Sequence, residues 1–107
     1  MTAMETLEFR FDSKPGVRPD HPALCGVVGS GNLEILVKPG DQPGCCQVHI
    51  KTSARGFGTT WRAVIGDFAA SHPAGGTAIA INDMGATPAV VSLRLAQALA
   101  EYQGGAR

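Results

Sequence analysis

The spacing of apolar residues changes after Lys51, and that change restricts the fold more than any other feature. Up to Lys51 they recur mainly at every second position, the repeat of strands with one buried face. From Trp61 most recur three and four apart, the repeat of helices. Leu7, Phe9 and Phe11 alternate with Glu8, Arg10 and Asp12, and Ala23 to Val28 is a continuous apolar run. Leu33, Ile35 and Val37 alternate up to Lys38, and Cys46, Val48 and Ile50 alternate with Gln47, His49 and Lys51. These segments read as strands, with an antiparallel meander as their natural pairing. Gly29-Ser30-Gly31-Asn32 suits a hairpin loop, and the dense turn signals of Pro39 to Gly44 mark a second turn. Lys14 to Pro22, with three prolines and a glycine, reads as an irregular connection.

Beyond Lys51, Trp61, Val64, Ile65 and Phe68 share one face of a helix that Thr59 or Thr60 can cap. His72-Pro73 and Gly75-Gly76 end it, with His72 where a cation favours the helix dipole. Thr77 to Ile81 is a short apolar strand, followed by a turn over Asn82-Asp83-Met84-Gly85-Ala86. Thr87 then serves as N-cap with Pro88 at the first helical position. Val91, Leu95, Ala98, Leu99 and Tyr102 line a second helix that stops before Gly104-Gly105. The order β-β-β-β-α-β-α predicts an α+β fold, a mostly antiparallel sheet with two helices packed on one face. Residues 1–107 form a single domain.

Composition removes several functions. Nine basic and nine acidic residues cancel and are scattered, so there is no basic stripe to grip a phosphate backbone and no nucleic acid is expected. No apolar run approaches a membrane span, and Met1 to Glu5 shows no secretory pattern, so a cytoplasmic protein away from membranes is expected. Cys25 and the adjacent Cys45-Cys46 do not form a disulfide framework. Cys46 and His49 fall on opposite faces of a strand, and no second ligand pair follows, so no metal site is expected. Without a nucleophile–base–orienter set, no catalytic residue is assigned.

Ser30 is the candidate site. Flanked by Gly29 and Gly31 between two strand-like runs, its hydroxyl is expected bare at a turn, open to approach or to attachment. Because the glycines adjoin it and a strand follows, the pattern is not the nucleophile elbow of hydrolases. Without a helix opening there, Gly26 to Gly31 is not a dinucleotide cradle either. An attachment point and an ordinary turn serine both remain open on the residues alone. Asp83 reads best as a turn carboxylate accepting backbone N–H groups, and Trp61 as core. Arg55, Arg62 and Arg94 read as structural or solvated.

Four stretches together carry a resemblance. Met4-Glu5-Thr6-Leu7-Glu8-Phe9 opens the chain, and Val28-Gly29-Ser30-Gly31-Asn32-Leu33-Glu34-Ile35-Leu36 follows. Lys51-Thr52-Ser53-Ala54-Arg55-Gly56 precedes Trp61, and Asn82-Asp83-Met84-Gly85-Ala86-Thr87-Pro88-Ala89-Val90-Val91-Ser92-Leu93-Arg94-Leu95 comes near the end. In this order and spacing they resemble the acyl carrier (delta) subunit family of malonate decarboxylase over nearly the whole chain. Asn32 stands where that family often has aspartate, and Met84 where it usually has an aromatic residue.

The resemblance implies a non-catalytic carrier of acetyl and malonyl thioesters. It implies that Ser30 is joined through a phosphodiester to 2'-(5''-phosphoribosyl)-3'-dephospho-CoA, with Gly29 and Gly31 beside the attachment. The implied partners are acyl-transferase and decarboxylase subunits of one complex and the holo-carrier synthase that attaches the group. Two alternatives are a citrate lyase-type carrier and a structural subunit in which Ser30 is only a turn residue.

Overall fold

A strand late in the chain becomes the centre of the sheet. The structure, a computed structural model, describes residues 4–16, 26–29 and 32–104, with the backbone alone at 26–29. Its elements are β1 (Glu5–Asp12), β2 (Gly26–Gly29), β3 (Leu33–Pro39), β4 (Cys45–Thr52), α1 (Gly58–Ser71), β5 (Thr77–Asp83) and α2 (Pro88–Tyr102). They form one five-stranded sheet in the order β1-β4-β5-β3-β2. The pairs β1–β4, β3–β5 and β2–β3 are antiparallel, and β4–β5 is parallel. The predicted element order and the mostly antiparallel α+β architecture are both present.

The meander is not. Of the expected meander pairs only β2–β3 forms, because β1 lies beside β4 and β5 lies between β3 and β4. The reason is the helix between β4 and β5: a strand–helix–strand crossover returns the chain to its starting end, so the two strands run parallel and can pair. The turn signals of Pro39 to Gly44 therefore mark a crossing past the start of β5 and no hairpin. Gly40 N–H donates to Gly76 O at 2.8 Å, and Gly76 N–H donates to Cys45 O at 2.9 Å. A Cβ on Gly40 would stand 2.8 Å from the backbone of Thr77, which explains the glycine.

One face of the sheet is buried. Ile35, Val37, Val48, Ile50, Ile79 and Ile81 lie on it, all at most 2 % exposed. Ile81 faces Ile35 on one side and Ile50 on the other, so the central strand contributes to every layer of the core. At about 1.5–3 kcal/mol per fully buried aliphatic side chain, this face dominates the stability of the domain. Helix α1 packs towards β1 and α2 over β2 and β3, and the helices meet each other. Helix α2 buries Val91, Leu95, Ala98, Leu99 and Tyr102, the predicted face. Helix α1 buries Trp61, Ile65, Phe68 and Ala69. The residue after β1 is held too: the hydroxyl of buried Ser13 donates to Ala69 O at 2.8 Å and accepts Ala74 N–H at 3.0 Å.

The helix starts differ. Thr87 caps α2 as expected, its Oγ1 accepting Val90 N–H at 3.3 Å, with Pro88 in the first turn. Helix α1 instead begins after Phe57 without a side-chain cap, so Thr59 and Thr60 lie inside its first turn. Gly56, at φ +87°, turns the chain there, and Phe57 O already accepts Trp61 N–H at 2.9 Å.

Asp83 closes the end of β5. It is 2 % exposed. Its Oδ1 accepts Ala86 N–H at 2.8 Å and Gly85 N–H at 3.2 Å, and its Oδ2 accepts the Thr52 hydroxyl at 2.8 Å. Thr52 in turn accepts Ala54 N–H at 3.1 Å. One carboxylate thus ties the exits of β4 and β5 to the turn entering α2. This is the turn role expected of Asp83, extended across two strands.

Two predictions follow from these contacts. Asp83→Ala leaves the Thr52 hydroxyl and two amides without their acceptor, and should lower unfolding free energy by about 2–4 kcal/mol in urea titration. Asp83→Asn should lose less, since its amide can still pair with Thr52 Oγ1. Gly40→Ala should destabilise by about 1–3 kcal/mol through the collision with Thr77. Gly44→Ala, with nothing within 4 Å of the added carbon, should stay within about 1 kcal/mol by the same measurement.

Candidate functional site

Ser30 and Gly31 lie outside the described residues, but the chain on both sides of them is placed. Gly29 is the last residue of β2 and pairs with Glu34. Asn32 is exposed, and its carbonyl accepts Met84 N–H at 2.8 Å. Leu33 then opens β3 opposite Asp83. The candidate attachment segment is therefore anchored at both ends to the sheet, beside the turn that leaves β5. Glu34 belongs to the exposed face, where the Asn82 side-chain amide donates to it at 3.3 Å.

This end of the sheet gathers several other elements. The exits of β4 and β5 lie here, as do the first turns of both helices, because each helix follows one of those strands after a short loop. Between the helix starts and the Asp83 turn is a cavity of about 410 Å³. Its wall is largely apolar, formed by Phe57, Trp61, Val64, Ala86, Pro88 and Val91, with Thr60 and Asp83 as its polar members. Asp83 already accepts three hydrogen bonds, so its charge is engaged in the turn. Phe57 at 52 % and Met84 at 60 % are among the large apolar side chains that stand exposed at this same end. Periodicity could not reveal the cavity. The one local signal is Phe57, an aromatic residue between Gly56 and Gly58 that stands at helical spacing from Trp61 and Val64.

The remaining sequence candidates are occupied elsewhere. Trp61 is core, as expected, and also forms part of the cavity wall. Cys46 is buried while His49 is on the exposed face of the same strand, so they do not meet. Burial also pushes the Cys46 thiol above its usual pKa, against a hydrogen bond from Thr77 that acts the other way. His49 Nδ1 sits 3.1 Å from Glu8 across the β1–β4 pair. His72 caps the end of α1, stacks on Phe68 with ring centroids 4.9 Å apart, and places Nδ1 3.2 Å from Phe68 O. Arg62 lies over the Phe9 ring, 5.3 Å from its centroid. Arg94 donates to Gln97 at 2.8 Å, and Arg55 is exposed. Among the described residues no three His, Cys, Asp or Glu side chains group to hold a metal, and no helix is long and apolar enough to cross a membrane.

Comparison with known proteins covers almost the whole chain. A family model described as malonate decarboxylase delta subunit matches residues 20–102. The malonate decarboxylase acyl carrier protein of Xanthomonas euvesicatoria pv. vesicatoria is 57 % identical over 103 residues, covering 94 % of this chain and 97 % of that protein. The protein of the same name from Acinetobacter calcoaceticus is 50 % identical over 101 residues, covering 94 % and 99 %. Among solved structures, a chain of a Pseudomonas malonate decarboxylase hetero-tetramer in complex with malonate superposes with a TM-score of 0.77 at 35 % identity, covering 92 % of this chain and 99 % of that one. On these matches, the chain belongs to the malonate decarboxylase delta-subunit family of acyl carrier proteins.

Proposed function

We propose that this protein is the acyl carrier subunit of a malonate decarboxylase, with Ser30 as the attachment point of its prosthetic group. The observation that carries the reading is full-length similarity to malonate decarboxylase acyl carrier proteins, together with a serine between two glycines where β2 gives way to β3. The group is the phosphoribosyl-dephospho-coenzyme A named above, and when bound it supplies a thiol that holds acyl groups as thioesters.

The residues present suit this role. Gly29 and Asn32 are both tied to the sheet, so a group on Ser30 starts from a fixed base at one end of the domain. The Ser30 hydroxyl provides the ester oxygen, and backbone amides beside a phosphodiester can solvate it. Gly29 and Gly31 add no side chain that would crowd the linkage. Tethering turns each acyl transfer into a reaction at high effective concentration. The chain itself then needs no acid, base or metal, and the chemistry belongs to the transferase and decarboxylase subunits of the same cytoplasmic complex. With no net charge, docking to those partners, and to the synthase that loads the group, depends on shape and local patches.

Intact mass spectrometry of chain co-expressed with its holo-carrier synthase should show one large adduct, absent in Ser30→Ala. An unchanged adduct in that variant would sink the assignment. Reconstitution with the partner subunits should give malonate turnover that Ser30→Ala abolishes. Full activity of that variant would favour a purely structural subunit, and cleavage of citrate instead of malonate would move the protein to the citrate lyase-type carriers.

A further inference from the structure

We propose that the apolar cavity at the start of the two helices is a resting site for the neutral, acetyl-bearing end of the arm, and that it excludes the malonyl-bearing end. This rests on the carrier reading above, and adds to it a function for residues outside the attachment segment. Position is the first argument. Asn32, two residues after Ser30, is hydrogen-bonded through its carbonyl to Met84, and Asp83, Gly85 and Ala86 on either side of Met84 belong to the cavity wall. The last described link from the attachment segment, the 2.8 Å bond from Met84 N–H to Asn32 O, therefore touches the turn that forms part of the cavity wall. A coenzyme A-derived arm is long enough to turn back to that wall.

Chemistry selects the occupant. At about 410 Å³ the cavity falls within the range of small-molecule pockets, roughly 300–1,000 Å³, and like them it is mainly apolar with few polar groups. Phe57, Trp61, Val64, Pro88 and Val91 offer surface to a methyl thioester and the chain leading to it. The Thr60 hydroxyl is a hydrogen-bonding group at the wall that can meet an amide or carbonyl of such a chain. A malonyl group ends instead in a carboxylate. Burying it here would strip its water, offer it no cation, and set it near the carboxylate of Asp83. The cavity therefore sorts the two acyl states by charge: acetyl rests against the domain, and malonyl stays in solvent for the partner subunit. Phe57 is half exposed at the wall, so a docked arm also covers apolar surface that water otherwise contacts.

The test uses the full-length chain loaded on Ser30, confirmed by mass spectrometry, in acetyl and malonyl forms. Val64 and Val91 methyl resonances should shift on going from apo to acetyl-loaded chain and return towards their apo positions in the malonyl form. Hydroxylamine should cleave the acetyl thioester about tenfold more slowly than free acetyl-pantetheine if nine-tenths of the arm is docked, since only the undocked fraction reacts. Thr60→Trp fills the cavity from an exposed position in α1, and should restore the fast rate without removing the adduct. Ala54→Phe, from the loop between β4 and α1, should do the same. Loaded chain with unmoved Val64 and Val91 resonances and an unprotected thioester overturns the docking proposal and leaves the carrier reading intact. Equal protection of malonyl and acetyl forms overturns the charge sorting. If Thr60→Trp keeps full protection but loses binding to the partner subunits, the cavity belongs to a partner side chain and the proposal fails. Absence of any adduct on the wild-type chain overturns the carrier reading itself.

Discussion

Strand β5 is bonded to a neighbour on each side along its whole length, parallel to β4 and antiparallel to β3, and the rest of the molecule is arranged around it. Its buried residues Thr77, Ile79, Ile81 and Asp83 run through the middle of the sheet. Removing β5 would leave two separate hairpin-like pairs, β1–β4 and β2–β3, each too small to hold a core. Insertion of β5 also brings the attachment segment and the helix starts to one end. Its exit at Asp83 pairs with Leu33 on one side and with Thr52 on the other. The carboxylate of Asp83 then fixes the turn that separates the β3 anchor from the first turn of α2.

A carrier has two physical demands that oppose each other. The attachment point must be open to several large partners, yet the cargo must not be lost to water between visits. On the proposed reading a serine between two glycines answers the first demand, because glycine neighbours bring no side chains to crowd an attached group. The seam between the helices offers an answer to the second, with apolar side chains that the core does not fully consume. Both lie at the same end of the sheet because each helix follows a strand that ends there. The two proposed functions are neighbours by topology, although the residues assigned to them are far apart in the chain.

The legible parts of the sequence were those governed by local repeat and local hydrogen bonding. Alternation in Leu33 to Val37 and Cys46 to Ile50 identified the buried face of each strand, and Val91, Leu95, Ala98, Leu99 and Tyr102 identified that of α2. The Thr87-Pro88 start was readable because an N-cap acts on the amide three residues away. The start of α1 was not, because it is set by the turn at Gly56 and by ties from Thr52 and Asp83 across the sheet. For the same reason Pro39 to Gly44 announced a change of direction without saying that another strand would pass between its two ends.

By itself the sequence determined the element order, the core faces of β3, β4 and the two helices, and the family. These depend on residue type, on spacing along the chain, or on likeness carried by whole segments. Only the tertiary structure decided which strands are neighbours, that Asp83 ties two strand ends to a helix turn, and that Phe57, Trp61, Val64, Ala86, Pro88 and Val91 line one cavity beside that turn. The reason is that pairing and enclosure are non-local. Each apolar face can be buried by several partners, and the choice is made by the one arrangement in which β4, α1 and β5 close as a crossover while β3 still finds a strand to pair with.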